Sequence, residues 1–272
     1  QVVRDRELGG VVAISGGLAV GFSYYVVENG RGSIGDIYVS RNWRGRGIDR
    51  RITAVVLDEL DHTATARIES QCVGIGNDAS TGFLEARGFK RFDRQYMTLE
   101  LVSSEGTPSG TEEPDAAGDG ISIRPWEEDD FARAAEVIHR SYRGRHDSRI
   151  NTQYRSEAGC AELLTILTDH IWCGEFLSGV SQVAYQSATG RLVGVLIGSR
   201  IARGAGHIGQ ISVNPAHQGR GLGRRMINSA LTEYLRRGFD SVSLAVTSQN
   251  AGALHLYESC GFRTIHTFPV FF

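Results

Sequence analysis

The sequence predicts a fold that mixes helices and strands, α/β in the broad sense and α+β in the strict one, and that consists of two tandem domains. Residues 44–49 and 218–223 are glycine-rich loops, and each follows an apolar strand and precedes a helix with apolar residues at helical spacing. The second observation is a near-constant offset between landmarks, which is typical of duplicated domains. The offsets are 174 positions from Gly47 to Gly221, 173 from Asn77 to Asn250 and 173 from Gly88 to Gly261.

The order of predicted elements is the same in both halves. The first half reads as two strands within residues 9–29, a strand ending at Val39, the glycine loop with its helix, a strand over 68–73, a short helix after Asn77 and a strand over 96–101. The second half opens with a strand over 121–126 and a helix over 127–142 whose first turn is acidic. We expect domains at 1–102 and 121–272. Residues 103–120 are rich in Gly, Pro, Ser and acidic residues and are predicted to be a linker.

The first domain is expected to lack its first strand and helices. Val213 ends the strand before the second glycine loop and lies 92 residues after Ile121, whereas the matching Val39 lies 38 residues after Gln1. The first domain therefore has 54 fewer residues before its loop. This number corresponds roughly to a first strand and helices, which are either missing from this sequence or truly absent from the domain. Because residue 1 is Gln rather than Met, we expect the true start to have been trimmed or processed.

Charge and cysteine content limit the partners. The formal net charge of −2 argues against a broad nucleic-acid or membrane surface, and no apolar run is long enough to span a bilayer. Cys72, Cys160, Cys173 and Cys260 show no metal-ligand spacing, so we expect no metal site and free thiols in a reducing cytoplasm. The oligomeric state stays open.

The loop at residues 218–223 suggests an anion site. Its glycines let the backbone approach a ligand closely, and successive N–H groups at a helix start form a cradle for phosphate oxygens. A diphosphate fits there. Taken alone, the same residues also fit an ordinary tight turn.

A second motif follows the apolar strand over 242–246. It runs from Asn250 to Phe262, and together with the loop it resembles the GNAT N-acetyltransferase superfamily, whose signature is [QR]-x-x-G-x-[GA] followed by N-x-x-A-x-x-L-Y-x-x-x-G-F. All fixed positions of both patterns are met. The resemblance implies tandem GNAT domains, each a mixed, mostly antiparallel twisted sheet with flanking helices and a splayed pair of parallel strands. It also implies transfer of an acetyl group from acetyl-CoA to a primary amine by direct attack in a ternary complex.

The resemblance further implies where acetyl-CoA binds. Its pantetheine arm is expected between the strands over 206–213 and 241–247, with an N–H near Ile211 or Ser212 facing the oxygen that becomes negative. Asn250 is expected to hydrogen-bond the cofactor, although an N-cap role for this residue is compatible with that. The expected cofactor-binding residues are Ile211, Ser212, Val213, Gln218, Gly219, Arg220, Gly221, Leu222, Gly223, Arg224 and Asn250.

Two residues are candidates for proton transfer. Tyr257 is expected to protonate the departing thiolate as general acid, its alternative being a core residue with a surface hydroxyl. His207 is the candidate general base, because it lies six positions before Val213, where the histone-acetylating branch of the family carries a glutamate. The alternative is that His207 lies at a strand edge and the proton leaves through water. Cys173 is not expected to act as nucleophile, because the family transfers the acetyl group directly.

The first copy differs at these positions. Asp49 replaces Gly223, so that a carboxylate lies where phosphate is expected, and Leu84 replaces Tyr257 and cannot donate a proton. Ser33 replaces His207. We therefore expect a degenerate first domain that serves packing or shapes the site.

The acceptor is expected to be a small-molecule or peptide amine. In the polar segment 146–155, Asp147 is a candidate for binding its ammonium, and Arg149 or Arg155 for binding a carboxylate. A solvated loop explains the same residues. A non-catalytic acyl-CoA-binding protein remains the alternative function, whereas a dinucleotide-binding oxidoreductase does not fit the order of the motifs.

Overall fold

A computed structural model describes residues 8–28, 30–71, 78–101, 120–169 and 174–272. It divides into two compact units, one formed by Gln1–Arg94 with Thr267–Phe272 and the other by Gln95–His266. The end of the chain thus belongs to the N-terminal unit. The domain limits 1–102 and 121–272 drawn from the repeat, and the linker between them, stay predictions. Most of the predicted linker, and Asn77 with Cys72 and Cys173, lie outside the described residues.

The N-terminal unit is a sheet with a helix against it. Its elements are β1 (Leu8–Ser15), β2 (Leu18–Glu28), β3 (Arg31–Ile34), β4 (Tyr38–Val39), a 3-10 turn (Arg41–Trp43), α1 (Ile48–Asp61), β5 (Arg67–Gln71), α2 (Asp78–Ala86) and the start of β6 (Arg91–Glu100). The strand order is β1-β2-β3-β5, followed by the end of β13 (Arg263–Phe271). β3 and β5 are parallel, whereas β1, β2 and β3 pair antiparallel.

The C-terminal unit contains more helices. After β6 come β7 (Ile121–Pro125), a 3-10 turn (Glu128–Asp130), α3 (Phe131–Tyr142), α4 (Asp147–Ile150), a 3-10 turn (Thr152–Arg155), α5 (Glu157–Asp169), β8 (Glu175–Phe176), β9 (Gln182–Gln186), β10 (Arg191–Ala202), β11 (Ala205–Val213), a 3-10 turn (Pro215–His217), α6 (Leu222–Arg236), β12 (Ser241–Thr247), α7 (Ala251–Ser259) and the start of β13. The strand order is β6-β12-β11-β10-β9-β7. Only β11–β12 is parallel among the pairs described for this unit. The predicted mixed, mostly antiparallel sheet is therefore confirmed.

Helices cover both faces of this sheet. On one face α6 contributes Met226, Ala230 and Tyr234 to a buried cluster that includes Leu196 of β10 and Tyr257 of α7. On the other face α3 and α5 pack over the alternate residues of β10. The buried residues there include Ala134, Ile138, Leu164, Val195 and Ile197. Successive strand residues point to opposite faces, so β10 supplies both cores and is buried along most of its length.

The predicted helix over 127–142 begins later than expected. A 3-10 turn occupies Glu128–Asp130, and α3 starts only at Phe131. The reason lies in Asp130, whose fully buried carboxylate accepts two 2.7 Å hydrogen bonds from Arg124 and a 3.0 Å hydrogen bond from the backbone N–H of Glu127. The acidic run thus binds a guanidinium as well as capping the turn.

The two units repeat one packing detail that requires glycine. A Cβ on Gly32 of β3 would lie 2.8 Å from Leu60 of α1, and a Cβ on Gly206 of β11 would lie 2.5 Å from Tyr234 of α6. Both distances are shorter than a carbon–carbon contact allows, so the helix approaches the parallel strand this closely only where the side chain is missing. The tandem arrangement predicted from the sequence is confirmed by this duplicated geometry.

The units differ in what covers the second face of the sheet. By chain order β2 corresponds to β10, yet Phe22 and Tyr24 of β2 are 45% and 39% exposed, whereas Val195 and Ile197 of β10 are fully buried under α3 and α5. Among the described residues 8–94, no element corresponds to β7 or to these two helices.

Within the described part of the chain, no helix combines the length and apolar character needed to cross a membrane.

Candidate active site

The site is built around two parallel strands that part. β11 and β12 pair at four positions, from Ala205–Ser241 to Ile208–Leu244. Beyond that point β11 continues to Val213 against β10, where the register shifts next to Ile208, and β12 continues to Thr247. The edges that the two strands turn toward each other therefore separate, and an extended ligand can hydrogen-bond there as an additional strand.

A helix N-terminus lies directly after the end of β11. Gly219 and Gly221 have φ values of 73° and 83°, and Gly221 is the N-cap of α6 without any side-chain cap. The N–H of Arg225 donates to the Gly221 carbonyl at 3.1 Å, so the preceding N–H groups of α6 have no intrahelical acceptor. These groups and the helix dipole favour an anion. The predicted residues Arg220, Leu222, Gly223 and Arg224 belong to this loop and the first turn of α6.

Gln218 fixes the loop through its side chain. Its Nε2 donates to the Val213 carbonyl at 2.8 Å, and its Oε1 accepts from Arg145 at 3.0 Å. Ser141 Oγ also donates to the Val213 carbonyl, at 3.0 Å. Both lone pairs of that carbonyl are thereby engaged within the protein, so the Val213 carbonyl is not left as an acceptor for a ligand.

Asn250 has the N-cap role considered from the sequence and one further contact. Its Oδ1 accepts from the N–H of Ala253 at 3.2 Å at the start of α7. Its Nδ2 donates to Asp147 at 3.4 Å. The other carboxylate oxygen of Asp147 accepts from Thr247 at 2.6 Å, so that the predicted ammonium-binding residue lies at the end of β12.

Tyr257 is largely buried. Its side chain is 8% exposed and belongs to the core on the α6 face, where its ring meets Phe262 edge-on at 6.2 Å. The ring of Tyr257 therefore packs in the core, and its role as general acid stays a prediction. A hydroxyl that donates a proton is compatible with this burial, because buried tyrosines usually keep their O–H hydrogen-bonded.

His207 lies on β11, and its hydrogen-bond partner favours one tautomer of the ring. Its Nδ1 is 2.9 Å from Ser243 Oγ, and Ser243 Oγ donates to the Gly206 carbonyl at 3.2 Å. A hydroxyl has one proton, so the network that satisfies both contacts has Nδ1–H as donor to Ser243. Nε2 is then the basic nitrogen. The ring stacks on Tyr96 at 6.3 Å, and the backbone carbonyl accepts from Tyr234 at 2.8 Å.

A polar cluster on the α3 face was not found from the sequence. Tyr142 and Tyr154 stack at 3.7 Å, and Gln210 of β11 accepts from the hydroxyl of Tyr154 at 3.0 Å. Gln210 also donates to Tyr142 at 3.3 Å and to Ser212 at 2.8 Å. The available signal was Gln210 itself, an amide within an apolar strand, because buried amides need partners.

The remaining acceptor candidates are two exposed arginines. Arg155 is exposed and donates to the backbone carbonyl of Ser148 at 2.8 Å, so it braces the chain after α3. Arg149 is exposed on α4. Asp147 contacts Asn250, a residue of the predicted cofactor site.

The model of the acetyltransferase (GNAT) family matches residues 2–89 and 152–262. The chain belongs to the GNAT acetyltransferase family. The matched segments fall in both halves of the chain, which agrees with the tandem layout inferred from the offsets.

Three known proteins match most of this chain. A mycothiol acetyltransferase from Tsukamurella paurometabola is 27% identical over 232 residues, which are 82% of this chain and 72% of that protein. The structure of a GCN5-related N-acetyltransferase from Sphaerobacter thermophilus matches with a TM-score of 0.74 at 20% identity. The match covers 99% of this chain and 83% of that protein. A tandem GNAT protein from the clavulanic acid biosynthesis pathway, solved without AcCoA, has a TM-score of 0.62 at 17% identity over 97% and 82%. At these identities the two structures show a common fold.

The N-terminal GNAT unit keeps the backbone of the site and changes its chemistry. Gly45 and Gly47 have φ values of 74° and 71°, so the loop before α1 repeats the loop before α6. Leu84 is fully buried at the position of Tyr257, and Ser33 pairs with Glu69 at 3.4 Å at the position of His207.

Proposed function

We propose that this GNAT protein is an acetyl-CoA-dependent N-acetyltransferase whose active site lies in the unit Gln95–His266. The observation that carries the proposal is the parting of β11 and β12 beyond Ile208, next to the uncapped N-terminus of α6. The first feature offers a place for an extended thioester arm, and the second offers N–H donors for its diphosphate.

The residues of the glycine loop fit such a coenzyme. A Cβ on Gly219 or Gly221 would meet no atom within 4 Å, so the space in front of the loop is open. The N–H groups of Leu222, Gly223 and Arg224 would hold the diphosphate, and Asn250 would bind further along the coenzyme. Acetyl-CoA supplies the thioester whose acetyl group is transferred.

Two side chains would handle protons in the C-terminal unit. Nε2 of His207 would accept a proton from the acceptor amine, since the contact with Ser243 leaves that nitrogen basic. Tyr257 would donate its proton to the departing sulfur. An N–H near Ile211 or Ser212 would donate to the thioester oxygen as negative charge develops on it.

The acceptor would be a primary amine that enters beside Asp147. This carboxylate accepts from two neutral donors, Thr247 and Asn250, so its negative charge is available to an ammonium group. Arg149 and Arg155 remain predictions for an acceptor carboxylate. Assays with different amines test whether the acceptor is a small molecule or a peptide.

The test measures thiol release from acetyl-CoA with a panel of amines. The panel includes the acceptor of the mycothiol acetyltransferases, because the relative from Tsukamurella paurometabola carries that name, and extends to amino sugars, amino acids and peptides. We expect acceptor-dependent release of CoA. If calorimetry detects no CoA binding, the proposal is wrong.

The alternative function is a non-catalytic acyl-CoA-binding protein, in which the buried ring of Tyr257 serves packing alone. In that case CoA binds with the same affinity in wild type and Tyr257→Phe, and neither protein releases thiol with any acceptor.

A further inference from the structure

Arg145 is a cation at the glycine loop that comes from a distant part of the chain. It is exposed, lies between α3 and α4, and its guanidinium donates to Gln218 Oε1 at 3.0 Å. No carboxylate pairs with it among the residues that the structure describes. A guanidinium carries five N–H donors, so most of its hydrogen-bonding capacity is left for a ligand.

Gln218 sets the position of this guanidinium. Because its Nε2 donates to the Val213 carbonyl at 2.8 Å, the amide orientation is fixed and Oε1 is directed to Arg145. The chain continues from Gln218 into Gly219 and the N-terminus of α6. Arg145 is thus held by a residue four positions before Leu222, the first residue of α6, whose N-terminal N–H groups favour an anion.

In the N-terminal unit a single residue, Arg44, both contacts the end of the preceding strand and carries the guanidinium beside the loop. Arg44 occupies the position 174 residues before Gln218, and its Nε donates to the Val39 carbonyl at 3.1 Å, as Gln218 does to Val213. Both copies therefore have a guanidinium beside the loop. In the first copy the guanidinium belongs to a residue of the loop motif. In the second copy the motif has the neutral Gln218, and the guanidinium that contacts it belongs to Arg145.

The chain around Arg145 is braced. The N–H of Arg145 donates to Tyr142 at 2.9 Å, and Ser148 Oγ donates to the Arg145 carbonyl at 2.8 Å. Asp147, two residues on, is held at the end of β12 by Thr247. A braced backbone reduces the backbone entropy lost on binding, and the contact with Gln218 already restricts the side chain.

We propose that Arg145 is a phosphate ligand of the coenzyme, contributed from outside the glycine motif. The inference rests on the proposed function, since it assumes that the diphosphate of CoA lies at the start of α6. Arginine suits the task because its planar donors match two oxygens of a phosphate group and its charge persists at every physiological pH.

The experiment compares CoA with pantetheine as probes of the full chain in calorimetry. Arg145→Ala is expected to weaken CoA binding roughly tenfold to a hundredfold, as loss of a charge-assisted hydrogen bond does. Pantetheine has no phosphate, so its affinity is expected to stay the same. Arg143→Ala is the matched control, because Arg143 is an exposed arginine of the same connection, and it is expected to bind CoA like wild type.

A rescue variant separates charge from packing. Adding Gln218→Arg to Arg145→Ala is expected to restore CoA affinity, because an arginine at 218 can donate to Val213 as Arg44 donates to Val39. If wild type binds CoA and Arg145→Ala binds it equally well, the inference is wrong while the proposed function stands. An equal loss of CoA and pantetheine affinity would also overturn it, since Arg145 would then act on the fold. If wild type binds no CoA, the proposed function itself fails.

Discussion

Removing the hydroxyl of Tyr234 should loosen the pairing of β11 with β10. Tyr234 is fully buried on α6, and its O–H lies 2.8 Å from the His207 carbonyl and 3.1 Å from the Ser199 carbonyl. Ser199 and His207 face each other in the β10–β11 ladder. Burial raises the pKa of Tyr234 far above its ordinary value, so the phenol stays protonated and the contact persists across the working pH range.

The expected cost of Tyr234→Phe follows from these contacts. One proton serves two carbonyls, so the variant loses about one hydrogen bond to a buried carbonyl group. Such a loss costs about 1–3 kcal/mol. For a chain of this size, each kcal/mol lowers the melting temperature by roughly 2–4 °C.

Hydrogen exchange and urea unfolding measure the effect. We expect a lower urea midpoint and faster exchange in peptides that cover β10 and β11, with unchanged exchange in peptides of the N-terminal unit. Tyr24→Phe is the matched control, because it removes the same atom from a ring that is partly exposed, and it should change stability by less than about 0.5 kcal/mol. A midpoint for Tyr234→Phe equal to that of the control would refute the reasoning.

Four further predictions, three substitutions and one labelling experiment, concern other parts of the molecule. Tyr257→Phe should lower turnover by about 10²–10⁴-fold with little change in CoA affinity, and unchanged turnover in a thiol-release assay would show that Tyr257 is not the general acid. Gly221→Ala should weaken CoA binding measured by calorimetry, because φ there is 83° and a side chain costs about 1–2 kcal/mol of backbone strain; Gly47→Ala should affect CoA binding much less. Asp130→Asn should destabilise the protein by about 3–5 kcal/mol, since it leaves Arg124 without its buried partner. Burial alone would raise the pKa of Asp130, but the hydrogen bonds from Arg124 and Glu127 and the nearby charges lower it, so its stabilisation is present above the ordinary pKa of 3.8 and is lost as pH falls through the lower folded value. The variant should therefore show a flatter melting temperature below pH 4. Burial raises the pKa of Cys160 to about 11, so iodoacetamide at pH 8 should label it only after urea is added, as peptide mass spectrometry would show.

The sequence was most informative where a residue type answers a local backbone need. Gly47 and Gly221 were singled out as the same loop in two copies, and both lie at positive φ at the start of a helix. The tandem fold followed from such local signals, because glycine position and apolar periodicity depend on neighbours in the chain. Asn250 was foreseen as an N-cap for the same reason.

Contacts between distant segments carried no such signal. Tyr154 reaches Gln210 across 56 positions, and Arg145 reaches Gln218 across 73. Gln210 alone indicates that a buried amide needs partners, but no residue in the sequence shows which ones, and only the folded sheet brings each pair together. The start of α3 was misplaced for the same reason, since the acidic run was interpreted without Arg124.

The parted strands are best understood as a property of the fold that exists before any ligand binds. The end of β11 is held by Ser141 and Gln218, which both donate to Val213. The end of β12 is held by Asp147, which accepts from Thr247. Each strand end is thus tied to side chains outside the β11–β12 pair, and closing the gap would require breaking those hydrogen bonds. A ligand that enters the gap therefore does not have to separate the strands, so its binding free energy is not spent on rearranging the sheet.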